Sequence, residues 1–195
     1  LIAGFVIIWA LRLGSFLFLR VLKDKEDRRF SEWKKNFHQF LRVWTLQGLW
    51  VFLTSVAAVT AITSRKIIEP DLFLYIGSFL WVFGFLFESI ADYQKRKFRS
   101  ENKNKFIQSG LWSLSRHPNY FGEIVLWFGI ALIAFPTLVG PQYVSLISPL
   151  FVYLLLTRVS GVHILEKHAD DTWGKKKDYK AYKEKTPVLF PKIFK

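Results

Sequence analysis

The stretch Ser115-Arg116-His117-Pro118-Asn119-Tyr120-Phe121-Gly122-Glu123 is the densest run of chemically able side chains in an otherwise apolar sequence. Arg116, His117, Asn119 and Glu123 can each donate or accept a strong hydrogen bond. Pro118 suits the first turn of a helix, where its missing N–H costs nothing. The pattern predicts a long apolar helix starting near Tyr120, with Asn119 and Glu123, four apart, on one face. The free amides and positive dipole end of that helix favour a phosphate or carboxylate. The stretch therefore reads as the rim of an anionic cofactor site at a membrane surface. Glu123 alone in a membrane would be expensive, so it calls for a ligand or Arg116 as partner. For His117 the plainer reading is an imidazole bonded to backbone at a helix start.

Five apolar runs must position these groups: Leu1–Leu19, Val43–Thr63, Leu72–Ala91, Tyr120–Pro136 and Gln142–Thr157. Each approaches the roughly 20 residues that cross a bilayer as a helix. With 51% hydrophobic residues, 20 Phe and 8 Trp in 195 positions, the expected class is an all-α polytopic helical bundle in a lipid bilayer. A soluble helical bundle fits poorly, because the charges sit in the connections. Pro149 lies where it could kink the fifth span. Phe30, Trp33, Phe37 and Phe40 share one helical face, which predicts an amphipathic surface helix over 30–40. Leu111-Trp112 reads as a dip into the interface.

The basic residues decide orientation. They number eight over 20–42, two over 64–71, seven over 92–120, none over 136–141 and ten over 158–195. The alternation is complete, so the positive-inside rule puts the three rich segments on the cytoplasmic side. The net charge of +13 is thus explained by lipid head groups, and nucleic acid is not an expected partner. There is no cysteine, and the four histidines show no metal-binding spacing; no metal site is expected. Neither a dinucleotide-binding glycine fingerprint nor a P-loop is present. The chain reads as one domain over 1–195, with 158–195 a cytoplasmic tail in which Tyr179 and Tyr182 suggest a short capping helix. It opens on Leu1 inside an apolar run, and the expectation is an N-terminally incomplete domain.

Other candidates converge on the same face. Arg12 lies well inside the first span, a functional-site signal by default; Trp9, Arg12, Phe16 and Arg20 recur at helical steps. Glu88, Asp92 and Arg96 are four apart at the exit of the third span. Gln47 is the one strong amide of the second. Arg99 follows in the basic loop, and Arg158, His163 and Glu166 follow the fifth span. Arg12, Arg96, Arg99 and Arg116 are available for bidentate phosphate contacts.

Gly110-Leu111-Trp112 followed by Ser115 to Glu123 resembles the signature of the steroid 5-alpha-reductase family, closest to its broad microbial branch. Trp9 with Arg12-Leu13-Gly14 is similar to that branch's opening WxxRLG segment. Glu88, Asp92 and Gln94 are similar to its ExxxDxQ segment. Arg158-Val159-Ser160-Gly161 with Glu166-Lys167, then Tyr179, Tyr182, Thr186 and Pro191, resemble its closing segment. The resemblance implies seven helices in the complete protein and NADPH in a cytoplasm-facing cavity. It implies hydride transfer to an activated C=C of a steroid-like or other lipid enone. Asn119, Tyr120, Glu123, Glu88, Asp92, Arg12 and Arg99 would then line the cofactor. Arg96, Arg116, His117, Arg158 and His163 complete the expected set, and Trp9 would meet the substrate. The branch carries Pro at about the position of His163. The catalytic proton donors would belong to the helices that precede this chain.

Two other readings stand beside it. Isoprenylcysteine carboxyl methyltransferases carry a similar Arg-His-Pro-x-Tyr run and use S-adenosylmethionine, which His117, Tyr120 and Glu123 could serve. Asn119, Phe121-Gly122-Glu123 and the Glu88/Asp92 pair match the reductases better. The non-enzyme reading is a lipid-binding membrane protein with a degenerate site.

Overall fold

The computed structural model describes residues 1–24, 36–102 and 104–192. The segment 25–35, most of the expected surface helix and the loop before it, lies outside them, as does the side chain of Arg20. The described residues form seven α-helices in order: α1 (Ile2–Asp24), α2 (Phe37–Thr63), α3 (Leu72–Glu101), α4 (Pro118–Ala134), α5 (Ile147–Leu154), α6 (Val162–Trp173) and α7 (Lys177–Lys185). No strand occurs among the described residues. Among the described residues, five helical segments are long and apolar enough to cross a membrane, the fifth running from Gly140 to Trp173. The protein is an all-α polytopic membrane protein, and its environment is the lipid bilayer.

Local chemistry sets the helix ends. Asn36 caps α2 by accepting from the amides of His38 and Gln39 at 3.0 and 3.3 Å. Asp71 caps α3 by accepting from Leu74 N at 2.8 Å. Pro118 occupies the first turn of α4, as its chemistry predicts. Three spans differ from expectation. α3 continues to Glu101 rather than ending at Ala91, because its last three turns are a polar wall for the site described below. The second span is helical from Phe37. The fifth opens as 3₁₀ turns over Gly140–Leu146, becomes α5, and widens into a π turn over Leu155–Val159. Pro149 therefore sits in the first turn of α5 and kinks nothing, since no intrahelical bond is lost there. The irregularity falls on the π turn instead.

α3 and α4 pack backbone to backbone. A Cβ on Gly84 would lie 2.5 Å from the carbonyl oxygen of Gly122, and one on Gly122 2.6 Å from the amide of Glu88. One helical repeat along, a Cβ on Gly129 would meet the carbonyl oxygen of Gly77 at 2.6 Å. Lipid tails compete equally for apolar side chains, so close backbone approach is what holds membrane helices together. Around this seam Trp81, Leu126, Trp127, Ile130 and Ile133 are buried, and Phe5 of α1 stacks on Trp81 at 4.1 Å. α5 joins the bundle through Ser148, whose hydroxyl donates to the carbonyl of Thr54.

The C-terminal segment is not a free tail. α6 and α7 fold back over the loop before α4 and are tied to it by main-chain bonds. Arg116 N donates to Pro187 O and Lys192 N to Leu114 O, both at 2.9 Å. Ser115 Oγ donates to Leu189 O at 2.8 Å and Tyr182 OH to Trp112 O at 2.7 Å. α7 is thus the capping helix that the paired tyrosines suggested.

The seam generates a test. Gly122→Ala forces a methyl against the amide of Glu88 and should cost about 1–3 kcal/mol. Thermal unfolding in detergent should show this loss. Gly4→Ala, with nothing within 4 Å of the new carbon, should leave the midpoint unchanged.

Candidate functional site

The polar groups collect in two adjoining clusters, one inside the bundle and one under the C-terminal helices. Helix geometry builds the first. Glu88 and Asp92, one turn apart on α3, face Asn119 and Glu123 on α4 and Arg12 on α1. Arg12 Nη1 donates to Asp92 Oδ2 at 3.1 Å, and its Nη2 pairs with Glu88 Oε1. Asn119 Nδ2 donates to Asp92 Oδ1 at 3.2 Å. The Phe85 ring lies beneath the guanidinium, 5.6 Å from its centre. Glu123 lies one turn after Asn119, on the same face of α4. Trp9, almost one turn before Arg12, packs edge-on against Trp127 at 5.0 Å. Arg12 Nε, Glu88 Oε2, Asn119 Oδ1 and Trp9 Nε1 are buried with no hydrogen-bond partner. Each such atom is costly, and together they leave donors and acceptors unspent within one cluster.

The second cluster starts from Gly110. Its positive φ of 63° turns the chain so that Leu111 N donates to Gln94 Oε1 at 2.9 Å. Trp112 is thereby driven under α3, only 3% exposed, with Nε1 donating to Ala91 O at 3.0 Å. It does not dip into the interface. Its indole N–H needs an acceptor, and the α3 carbonyl supplies one. Above it lies a cleft enclosing ≈ 750 Å³, part of it open to solvent. Lys95, Arg99, Lys105 and Arg116 line it, with Phe106, Trp112, Trp173, Tyr179 and Tyr182 as aromatic walls. Lys95 Nζ sits 4.4 Å over the Trp112 ring and has no acidic partner within ion-pair distance among the described residues. Asp92, three residues before it on α3, is engaged by Arg12 and Asn119.

Glu166 of α6 is the one carboxylate in that lining. His117 Nε2 lies 2.8 Å from its Oε1 and Arg116 Nη1 2.9 Å from its Oε2. Lys183 of α7 lies 3.7 Å from the same Oε2 and binds Asp170 Oδ1 at 2.7 Å. Burial pushes the His117 imidazole below its ordinary pKa, and the hydrogen bond to Glu166 only partly opposes this. His117 is therefore neutral at pH 7. Burial likewise raises Tyr179 and Tyr182, so both stay phenols.

The expected residues sort cleanly. Arg12, Glu88, Asp92, Asn119 and Glu123 come together, with Trp9 beside them. Arg99, Arg116 and His117 come together at the cleft, and the Tyr120 ring stacks on His117 at 5.6 Å. Three expected groups are set apart. Arg96 is exposed, its guanidinium 5.9 Å from the Tyr93 ring. Lys95 and Arg99 hold the face of α3 that meets the cleft, and Arg96 lies about 100° round the helix from Lys95. Arg158 is exposed on the π turn, and His163 is exposed on α6 outside the lining. Arg116 partners Glu166, not Glu123. The His117 ring bonds Glu166 rather than backbone; its own amide donates to Ser115 Oγ at 3.2 Å. Lys95, Trp112, Tyr182 and the hub role of Glu166 were not foreseen, since each depends on the loop and the C-terminal helices closing on one another.

Residues 1–186 match the family model described as "Protein of unknown function (DUF1295)". The chain belongs to the DUF1295 family. That match spans both clusters in this membrane-protein family, from Arg12 to Lys183. Neither a curated protein nor a solved structure matches the chain.

The inner cluster carries its own prediction. Arg12→Met leaves two buried carboxylates without their cation and should destabilise the fold by about 3 kcal/mol. Adding Glu88→Gln removes one of the stranded charges. The double variant should therefore recover part of that loss in detergent melts rather than add to it.

Proposed function

We propose that this DUF1295 protein is a membrane-embedded, NADPH-dependent reductase that reduces an activated C=C of a steroid-like or other lipid enone. One observation carries the reading. A cleft lined by four cations and six aromatic rings, Phe98 among them, opens beside the start of α4, next to a buried cluster of unspent donors and acceptors. Such a lining suits a polyanion with flat rings. Arg99, Arg116, Lys95 and Lys105 would bind phosphates, and the aromatic walls would stack on the bases. Asn119 Oδ1 and Glu88 Oε2 are free acceptors for amide or hydroxyl donors.

Bound NADPH would supply the hydride. The chain's own residues do the rest. Arg12 holds Glu88 and Asp92 in place, and Asp92 orients Asn119. Trp9, Phe85 and Trp127 provide apolar walls that keep water from the reacting end. Trp9 Nε1, buried and unpartnered, is a donor available to a lipid carbonyl, where negative charge grows as hydride arrives. Both clusters lie at the end of the bundle bearing the three basic-rich connections, which supports a cytoplasm-facing cofactor site. The excess positive charge of the cleft disfavours the sulfonium of S-adenosylmethionine.

The test is ligand titration of the full reading frame in detergent. Saturable NADPH binding is expected, weakened about tenfold or more by Arg99→Gln or Glu123→Ala, with the melting midpoint much less affected. Binding of S-adenosylmethionine without NADPH would overturn the reading in favour of methyl transfer. Binding of neither would leave a lipid-binding protein with a degenerate site.

A further inference from the structure

Glu166 stands outside the expected cofactor set, yet two residues of the central stretch converge on it. Its Oε1 lies 2.8 Å from His117 Nε2 and its Oε2 2.9 Å from Arg116 Nη1. A neutral imidazole carries one proton, and an ionised carboxylate can only accept. The contact therefore fixes the tautomer: the proton is on Nε2 and Nδ1 is bare. His117 is only 5% exposed, and that Nδ1 is buried with no hydrogen-bond partner. Both His117 and Arg116 line the cleft. The Tyr120 ring lies parallel to the imidazole within 8°.

We propose that Glu166 is a positioning residue that locks His117 as the Nε2–H tautomer, leaving Nδ1 a bare acceptor for an O–H or N–H donor of the ligand. The same carboxylate steadies Arg116 for the ligand's anion. The ligand group so recognised is a hydroxyl or amide beside a phosphate, as on a phosphorylated ribose. The ligand half rests on the cofactor reading above; the tautomer half does not.

A pH dependence follows, and its sign is fixed. His117 must be neutral to accept at Nδ1, so binding is lost as pH falls through its pKa, which burial holds below the ordinary histidine value. The charged groups acting on His117 are Glu166 of α6, Lys95 of α3 and the neighbouring Arg116. Behind Glu166 stand Lys183, Asp170, Tyr179 and Tyr182, and His168 and Arg99 line the same cleft. Burial, Lys95 and Arg116 lower the His117 pKa; Glu166 raises it. Removing the Glu166 charge must lower it further.

The experiment uses the full chain in detergent with ¹⁵N-histidine labelling, the His117 signal being assigned by its loss in His117→Gln. Wild type should show His117 as the Nε2–H tautomer without ligand, and Glu166→Ala should erase that preference. An Nδ1–H tautomer in wild type overturns the proposal. NADPH titrations across pH give the second readout. Glu166→Gln, which keeps the shape and an acceptor, should move the acid limb of binding down by about half a pH unit or more. His117→Gln should abolish that limb. A limb unmoved by Glu166→Gln, or one surviving His117→Gln, also overturns it. If NADPH fails to bind at any pH, the cofactor reading falls, and the ligand-free tautomer still decides the role of Glu166.

Discussion

Gly84 and Gly122 place the backbones of α3 and α4 in direct contact, and the rest of the structure inherits its spacing from that contact. In hydrocarbon, side-chain burial gives little net drive to helix association, so the closest approach wins. Close approach has a second effect here. The amide of Glu88 lies against Gly122, so the carboxylates of α3 are pressed towards the polar face of α4. Unpaired in lipid, those carboxylates would be expensive. Arg12 of α1 meets two of them, and α1 is thereby fixed by an ion pair as well as by Phe5 on Trp81. A seam without side chains thus dictates a cluster rich in them.

The central stretch serves both clusters because a helix starts in its middle. Before Pro118 the chain leaves a 3₁₀ turn and bends, and Arg116 and His117 line the cleft under α6 and α7. From Pro118 onward the helical repeat takes over, and Asn119 and Glu123 fall on the face turned to α3. Tyr120, between them, stacks back on His117. Nine residues therefore span the boundary between a buried, acidic cluster and a basic, solvent-reaching cleft. Helix start and chemical boundary coincide, and Pro118 marks both.

The sequence made the spans legible because lipid imposes a simple rule: long apolar runs, with charge excluded to the connections. It made the inner cluster legible for a related reason. Arg12, Glu88, Asp92, Asn119 and Glu123 are anomalies in apolar surroundings, and anomalies stand out. The cleft was harder. Lys95, Arg96 and Lys97 look alike in a basic run, and only the rotation of a helix that continues past Ala91 tells them apart. Arg116 and Glu166 are fifty residues distant, and no local spacing links them. Trp112 looked like an interfacial aromatic because tryptophan favours interfaces; the turn at Gly110, set by Gln94, buries it instead.

What remains is why the two clusters have opposite charge. The inner one sets three carboxylates against Arg12; the cleft sets four cations against Glu166. Adjacent pockets of opposite sign attract one another's counter-charges, and left alone they would collapse into ion pairs. The fold prevents this by committing each minority charge within its own cluster. Arg12 is held by Glu88 and Asp92, and Glu166 by Arg116 and His117. Lys95 stands between them over Trp112, near Asp92 yet outside ion-pair reach. The separation keeps an excess of positive charge in the cleft and unspent acceptors in the buried cluster beside it. A ligand with a phosphorylated end and a neutral, donor-bearing end would answer both at once.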